Sequence, residues 1–426
     1  MILGTLRSDG DKVRVSLSVV DGQRGSQEWS QQFEGDPVEL PALESRMLFE
    51  TATALLGSLT PAERTRMQFP AVHDGRAYNL YLRGVSMLRE GDPENLPVAS
   101  QFLEQALALD PTSADTHVSL AAVYNARFFR GLEGGQANFD SARTHTEAAA
   151  DLDPTSPSTM RAINNLEWMQ ERGLACLAIG QRALTVRPRT LELQMVAAEA
   201  YTLGGLCEVG LDLCKRVLSA DPSNPEARYF AVLAAAWGQR SEDALEQGAE
   251  FVRRFGEEPE IYLWMAVAAT RLGQASKALE LVKRAYDVAG DQGDPRTLLI
   301  GAAVEQSLLG ARAARPTWEH FRDLLLSRLA VSPDQVRIRF QLMFALTMLG
   351  QQQDALEQWA HVRSAFMPDR ILGINEGYGY APYLLIRLGR RDEAARSRRR
   401  RHHRCSHSCG RVAASASQDT SFAAAI

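Results

Sequence analysis

The sequence has no long hydrophobic run and few cysteines. Its longest strongly apolar stretches, such as Ala231 to Trp237, fall far short of the roughly 18 residues that a membrane span needs. No positively charged segment followed by an apolar one begins the chain. The five cysteines are an odd number, and Cys176, Cys207 and Cys214 lie in apolar helical surroundings, which favours reduced thiols over a disulfide framework. We therefore expect a cytoplasmic protein without a membrane partner.

Catalytic motifs are also missing from the sequence. We find no phosphate-binding loop, no nucleophile elbow and no metal-binding His-Glu pair. Gly377-Tyr-Gly-Tyr380 lacks the glycine spacing and the strand context of a dinucleotide site, so we interpret it as a loop between helices. The sequence predicts a protein that is not an enzyme and that needs no cofactor.

Basic residues are concentrated at the C-terminal end. The net charge is -5, yet residues 396–426 carry seven arginines against the single acid Asp419. The remainder of the chain is therefore more acidic than the net charge suggests. Nucleic-acid binders usually carry a basic stripe over the folded domain, so we expect no nucleic-acid partner.

The last thirty residues, 397–426, differ in composition from the rest. An Arg-rich stretch passes into Ala/Ser-rich sequence around Cys405, His407 and Cys409. Metal capture by these side chains and nucleic-acid contact by the arginines are both conceivable. Structural zinc sites, however, need two spaced ligand pairs held by a fold. We predict an unfolded tail, which a frameshift would also explain, and no metal site.

The first seventy residues predict a small sheet and a helix. Apolar and polar residues alternate over Val13 to Val19 and again over Gln27 to Phe33, and Ile2 to Arg7 runs into a turn. Apolar residues then recur at helical spacing from Leu40 to Leu55. Thr60-Pro-Ala-Glu63 has the sequence of a second helix start. Three strands and a helix make a thin core, so this segment looks like half a domain.

The same segment resembles a known family. Gly4 to Val15, Glu28-Trp29-Ser30 and Leu59 to Arg64 are similar to the end of the TolB-like (FlgO-like) amino-terminal domain. That resemblance implies a truncated α/β domain over residues 1–69 and a shortened gene product. In bacterial proteins this domain commonly precedes tetratricopeptide repeats, often downstream of a kinase, cyclase or winged-helix module.

A period of 34 residues dominates the rest of the chain. Small residues recur at this spacing from Ala142 through Ala278, and prolines at 154, 188 and 222 keep it. Small residues at that phase let the two helices of a repeat approach closely, and proline ends the second helix. The pattern resembles that of tetratricopeptide (TPR) repeats, with Leu203-Gly204 and Gly210 in place. We predict eight repeats and a truncated ninth over residues 70–396, stacked as a right-handed superhelix, an α-solenoid. The fold class is thus mainly α.

Capping residues followed by proline mark three predicted helix starts. They are Ser156-Pro157, Asn224-Pro225 and Ser332-Pro333.

The first helices of such repeats line a concave groove, which is where partners bind. With Pro222 at position 32 of its repeat, the groove positions fall on a polar, acidic and aromatic set that suits an extended peptide. We expect these side chains to face solvent in the free protein. The predicted partner-binding residues are Arg161, Asn165, Trp168, Glu192, Met195, Glu199, Tyr229, Leu233 and Leu263.

Two features within the array have alternative interpretations. Arg161 and Asn165 match the phase of a carboxylate clamp, although Glu192 and Val196 do not continue it, and an ordinary charged groove is the alternative. Phe128 and Phe129 begin a long insertion. They could anchor a partner, or they could tuck under the end of the array.

The sequence as a whole predicts a noncatalytic scaffold that recruits a protein partner. Many solenoids self-associate, so the oligomeric state stays open. The alternative, which rests on the resemblance, is the regulatory portion of a larger bacterial signalling enzyme or transcription regulator. A kinase, a nucleotide cyclase or a winged-helix protein would then supply the missing effector domain.

Overall fold

The computed structural model describes residues 1–9, 12–22, 24–36, 39–60, 74–90, 92–170, 172–290, 294–363 and 383–394. The predicted helix start at Thr60–Glu63, the loop at 377–380 and the tail at 397–426 lie wholly or mostly outside these residues. The proposed boundaries at 69/70 and 396/397 do so too, and they stay predictions. The resemblance of residues 1–69 to the TolB-like domain also stays a prediction.

Three strands form an antiparallel sheet in the order β1-β2-β3, with β1 at Ile2–Asp9, β2 at Lys12–Val20 and β3 at Gln27–Gly35. The register places Val15 opposite Phe33. Because side chains alternate between the faces of a strand, the apolar residues predicted from the period-2 pattern share one face. A helix, α1 (Leu40–Leu56), packs on β2 and β3 and buries Phe33. The predicted meander and covering helix are confirmed.

The helices that follow are α2 (Gly75–Glu90), α3 (Leu96–Leu109), α4 (Ala114–Phe129), α5 (Gly135–Leu152), α6 (Pro157–Met169), α7 (Gly173–Val186), α8 (Leu191–Leu203), α9 (Cys207–Ala220), α10 (Pro225–Trp237), α11 (Ser241–Phe255), α12 (Pro259–Arg271), α13 (Ala275–Ala289), α14 (Pro295–Leu309), α15 (Ala311–Val331), α16 (Val336–Leu349) and α17 (Gln352–Val362). Residues 383–387 and 391–394 are also helical. None of the helices in the described ranges is both long and apolar enough to cross a bilayer.

The chain divides into two compact units. One comprises Met1–Tyr124 and Thr144–Pro154, and the other comprises Asn125–Arg143 and Thr155 onward. In the second unit the helices from α6 to α17 pack as successive antiparallel pairs, each first helix against its own second helix and against the next pair. This is the mainly α, TPR-type repeat array that the 34-residue period predicts, preceded by a small sheet.

Small residues at the 34-residue phase allow the close contact of paired helices. Cys176, Ala244 and Ala278 are fully buried. A Cβ atom added to Gly210 would lie 3.0 Å from the Ala198 carbonyl oxygen, and the Thr202 hydroxyl would be nearer still. The predicted reason for these small residues is therefore correct.

The three predicted proline-marked helix starts have different outcomes. Asn224 caps α10, because its Oδ1 accepts a hydrogen bond from the Ala227 amide at 2.8 Å. At α6 the helix begins as predicted, but Ser156 makes no side-chain capping bond. The third prediction is wrong, since α16 begins at Val336 and not after Ser332. The Ser332 hydroxyl donates instead to the carbonyl of Leu132, at 2.9 Å.

Candidate functional site

Side chains from the first helices of successive pairs meet on one face of the second unit, which we call the inner face. Arg161 on α6 reaches across two neighbouring pairs. Its Nε donates to Glu199 on α8 at 3.2 Å, and its Nη2 lies 3.0 Å from a carboxylate oxygen of Glu226 on α10. One guanidinium thus joins three consecutive pairs. Arg161 binds carboxylates, as the predicted clamp would, but these carboxylates belong to Glu199 and Glu226 of the same chain.

Glu199 is the buried member of this group, with 1% of its surface exposed. The Asn164 side-chain amide donates to its second oxygen at 3.2 Å. Burial raises the pKa of Glu199 to about 7, although Arg161 opposes that shift. Asn165, a predicted partner-binding residue, is the next residue along α6, and its role stays a prediction.

A second polar group follows on α10, α12 and α14. Burial raises the pKa of Tyr229 well above its usual value, and the nearby carboxylate of Glu260 adds to the shift. Arg296 Nη2 lies 3.5 Å from a Glu260 carboxylate oxygen, and its Nε donates to Asp294 at 2.9 Å. The inner face is therefore lined with charges that are largely paired among themselves.

The nine predicted partner-binding residues differ widely in exposure. Glu192 is exposed, and Arg161, Asn165, Trp168 and Tyr229 are half-buried. The other four are almost fully buried, so the expectation that they face solvent is wrong, because neighbouring helices pack over these positions: Met195, Glu199, Leu233 and Leu263. The role of all nine in partner binding stays a prediction.

The two phenylalanines that begin the insertion, at the C-terminal end of α4, pack against neighbouring helices. This was one of the two predicted alternatives. Phe128 is 1% exposed, and its ring packs on Phe139 with centroids 5.6 Å apart. Phe129 is half-buried, and its ring centroid lies 6.1 Å from that of Trp168 on α6. Phe129 thus borders the inner face.

The first unit contains a histidine pair that sequence reasoning missed. The Nδ1 atoms of His117 and His145 are 2.9 Å apart, and Tyr124 stacks on the His145 ring. Burial lowers the pKa of both rings, that of His145 to about 4, with His117 adding to the shift. A spacing of 28 residues between two histidines carries no recognised motif, so the sequence offered no signal for this contact.

The depressed histidine pKa values predict a stability that depends on pH. Below pH 6.5 the unfolded chain binds protons that the folded His145 does not accept until about pH 4. The contribution of His145 to the free energy of unfolding should therefore fall as pH drops from 6.5 to 4. Urea unfolding of the native chain and of His145→Asn, measured across this range, checks the prediction. The native chain should lose more stability than the variant, and equal losses would contradict it.

Comparison with curated proteins finds similarity over part of this chain only. No family model matches this chain. A Rhizobium meliloti (strain 1021) protein named "Putative adenylate cyclase 3" is 23% identical over 169 residues, which is 39% of this chain. The match spans only 29% of that relative's length.

Two solved structures are similar to this chain in fold. One is named as a TPR protein and the other as a hetero-tetramer. A thermophilic TPR protein of Thermus thermophilus is 18% identical, covers 45% of this chain and 99% of its own, and has a TM-score of 0.37. The APC/C hetero-tetramer Cut9-Hcn1 is 15% identical, covers 88% of this chain and 71% of its own, and has a TM-score of 0.47. The helix pairs of this chain, with their 34-residue spacing and buried small residues, make it a protein of TPR-type fold.

Proposed function

We propose that this chain is a noncatalytic scaffold that holds an extended segment of a partner protein against the inner face of its repeat array. The observation that carries the proposal is a set of polar, acidic and aromatic side chains that three successive first helices leave at least partly exposed there: Arg161, Trp168, Glu192, Glu226 and Tyr229. Carboxylates, guanidinium groups and aromatic rings on one face suit a peptide backbone with mixed side chains better than an apolar ligand. Cys176, Cys207 and Cys214 are not in disulfides, which suits a reducing cytoplasm.

The array supplies such a surface because each first helix contributes one short stretch of it. Arg161 and Glu226 come from two different pairs, and their charged groups meet. Arg296 and Glu260 come from two further pairs and meet in the same way. Fixed charges at fixed spacing favour a partner whose own charges match them, which is how polar interfaces acquire specificity. The exposed carboxylate of Glu192 is available to such a partner.

A display selection tests this proposal with a matched pair of variants. Peptides selected from a random library on the immobilised native chain should bind at least tenfold more weakly to Glu192→Arg. Glu208→Arg is the control, because Glu208 is on α9, the second helix of the same pair. Fluorescence anisotropy of the labelled peptides measures both affinities. If both reversals have the same effect, binding does not use the inner face. A second copy of this chain is an alternative partner, which sedimentation equilibrium detects as a dimer.

A second candidate function has one observation in its favour. The match to a protein named as an adenylate cyclase supports a regulatory portion of a larger signalling enzyme. Genomic sequence upstream of Met1 separates the two candidates. An in-frame catalytic or winged-helix domain there would favour the regulatory function, and a stop codon followed by a separate promoter would favour the scaffold.

A further inference from the structure

The insertion at the C-terminal end of α4, residues 128–135, contacts a segment of the same unit that lies 200 positions later in the chain. Besides the bond from Ser332 to Leu132, the Gln335 side-chain amide donates to the carbonyl of Phe128. The Arg337 guanidinium donates to the carbonyl of Phe129. Three side-chain donors at and just before the start of α16 therefore bind main-chain carbonyls, two at the C-terminal end of α4 and one in the turn that follows.

The side chain of Phe129 is held as specifically as its backbone. The Arg337 guanidinium carbon lies 5.0 Å from the ring centroid and that of Arg296 lies 5.8 Å away. With Trp168, these two arginines surround the ring on the inner face. Guanidinium groups within about 6 Å of an aromatic face are attracted by its quadrupole, more strongly where water is excluded. Arg337 is 1% exposed, so the contact is shielded from water.

Glycines allow the rest of the insertion to lie against α16 and the residues before it. Gly131 has φ +66°, and a Cβ atom there would lie 3.0 Å from the Cδ1 atom of Ile338. At Gly135, where φ is +46°, a Cβ atom would clash with the Asp334 carboxylate, so a side chain would have to displace that group. Both positions combine a positive φ with a close approach, which only glycine tolerates at low cost.

We propose that Trp168, Arg296, Gln335 and Arg337 form a recognition site for an aromatic residue of a peptide, and that the insertion occupies this site as an internal ligand. The inference rests on the proposed scaffold function, and it names a feature of the partner segment: an aromatic side chain followed by a turn that contains glycine. The donors bind carbonyl oxygens, which every peptide has, and the guanidinium groups can pack on any aromatic ring. An external segment with these features therefore meets the same contacts as Phe129.

The internal ligand sets the affinity for the external one. Because the insertion is tethered at both ends, its effective concentration at the site is on the order of millimolar or higher. A partner peptide must displace it, so its apparent affinity is reduced in proportion to the fraction of molecules whose site is free. Removing the Phe129 ring from the chain should therefore raise the affinity for an added peptide.

A synthetic peptide of residues 126–136, labelled with fluorescein, tests the proposal by anisotropy with the full chain. The Phe129→Ala chain should bind it at least tenfold more tightly than the native chain. The same peptide carrying Phe129→Ala should bind at least tenfold more weakly to that variant chain. Adding Trp168→Ala to the variant chain should also weaken binding of the native-sequence peptide, since Trp168 borders the Phe129 ring at the edge of the core. Circular dichroism melting confirms that each chain is folded.

Two results would overturn the inference. One is equal affinity of the peptide for the native and Phe129→Ala chains, which would mean that the insertion does not occupy the site. The other is no binding to the folded Phe129→Ala chain at millimolar peptide. Failure here leaves the scaffold proposal standing if display-selected peptides still depend on Glu192, so the two failures are distinguishable.

Discussion

Replacing Trp318 with alanine should lower the free energy of unfolding by about 3 to 5 kcal/mol. Trp318 on α15 is 1% exposed, and its ring stacks on Phe344 of α16 at 5.7 Å. It also packs on Phe321, with centroids 6.1 Å apart. Alanine would leave a cavity between two adjacent helix pairs, and the surrounding aromatic rings cannot collapse fully into it. Urea unfolding followed by circular dichroism measures the loss.

A Trp318→Phe variant separates packing from hydrogen bonding. The indole Nε1 donates to Gln306 Oε1 at 2.7 Å, so phenylalanine removes this bond while it keeps most of the ring. We expect a loss of about 1 kcal/mol for this variant. If alanine costs no more than phenylalanine, the contact between α15 and α16 is not a major source of stability.

Replacing Arg161 with alanine should lower the free energy of unfolding by about 2 to 3 kcal/mol at pH 8. The change removes the ion-pair partner of the buried Glu199, and an uncompensated buried charge is costly. The expected loss is at the low end for buried pairs because the Arg161 side chain is 32% exposed. Thermal and urea unfolding of both chains measure the effect. This result would make the inner face part of the stabilising structure as well as the proposed binding surface.

The pH dependence and a second substitution check the cause. Because the folded pKa of Glu199 is raised to about 7 from 4.5, its contribution is present below pH 4.5 and is lost as pH rises through 7. Arg161→Ala should accordingly cost less at about pH 5, where Glu199 is protonated. Adding Glu199→Gln should restore most of the stability that Arg161→Ala loses at alkaline pH. If Arg161→Ala costs the same with and without Glu199→Gln, the effect does not come from the buried carboxylate.

The fold was largely predictable because its determinants are local and repeated. A helix pair needs a small residue where its two helices touch, and Cys176, Gly210 and Ala244 report that need at a constant spacing. The strands were predictable because alternation around Val15 follows directly from the geometry of a half-buried strand. Each of these signals lies within a few residues of the element that it predicts.

The site was less predictable because its contacts join distant positions. Ser332 precedes a proline, as a helix-capping residue would, yet its hydroxyl donates to the carbonyl of Leu132. Nothing near Ser332 in the sequence reveals that partner. Met195 and Leu263 occupy phases that face solvent in a regular repeat, but burial depends on how closely the next pair packs.

The bonds between the insertion and the start of α16 also bear on how the chain folds. Solenoids ordinarily nucleate anywhere and grow by adding neighbours, since every contact is local. The bond from Ser332 to Leu132 closes a loop of 200 residues, whose entropic cost is met only after the intervening helix pairs have formed. Folding of the second unit should then end with this closure as a late kinetic step, and hydrogen exchange at the insertion reports its reopening in the native state.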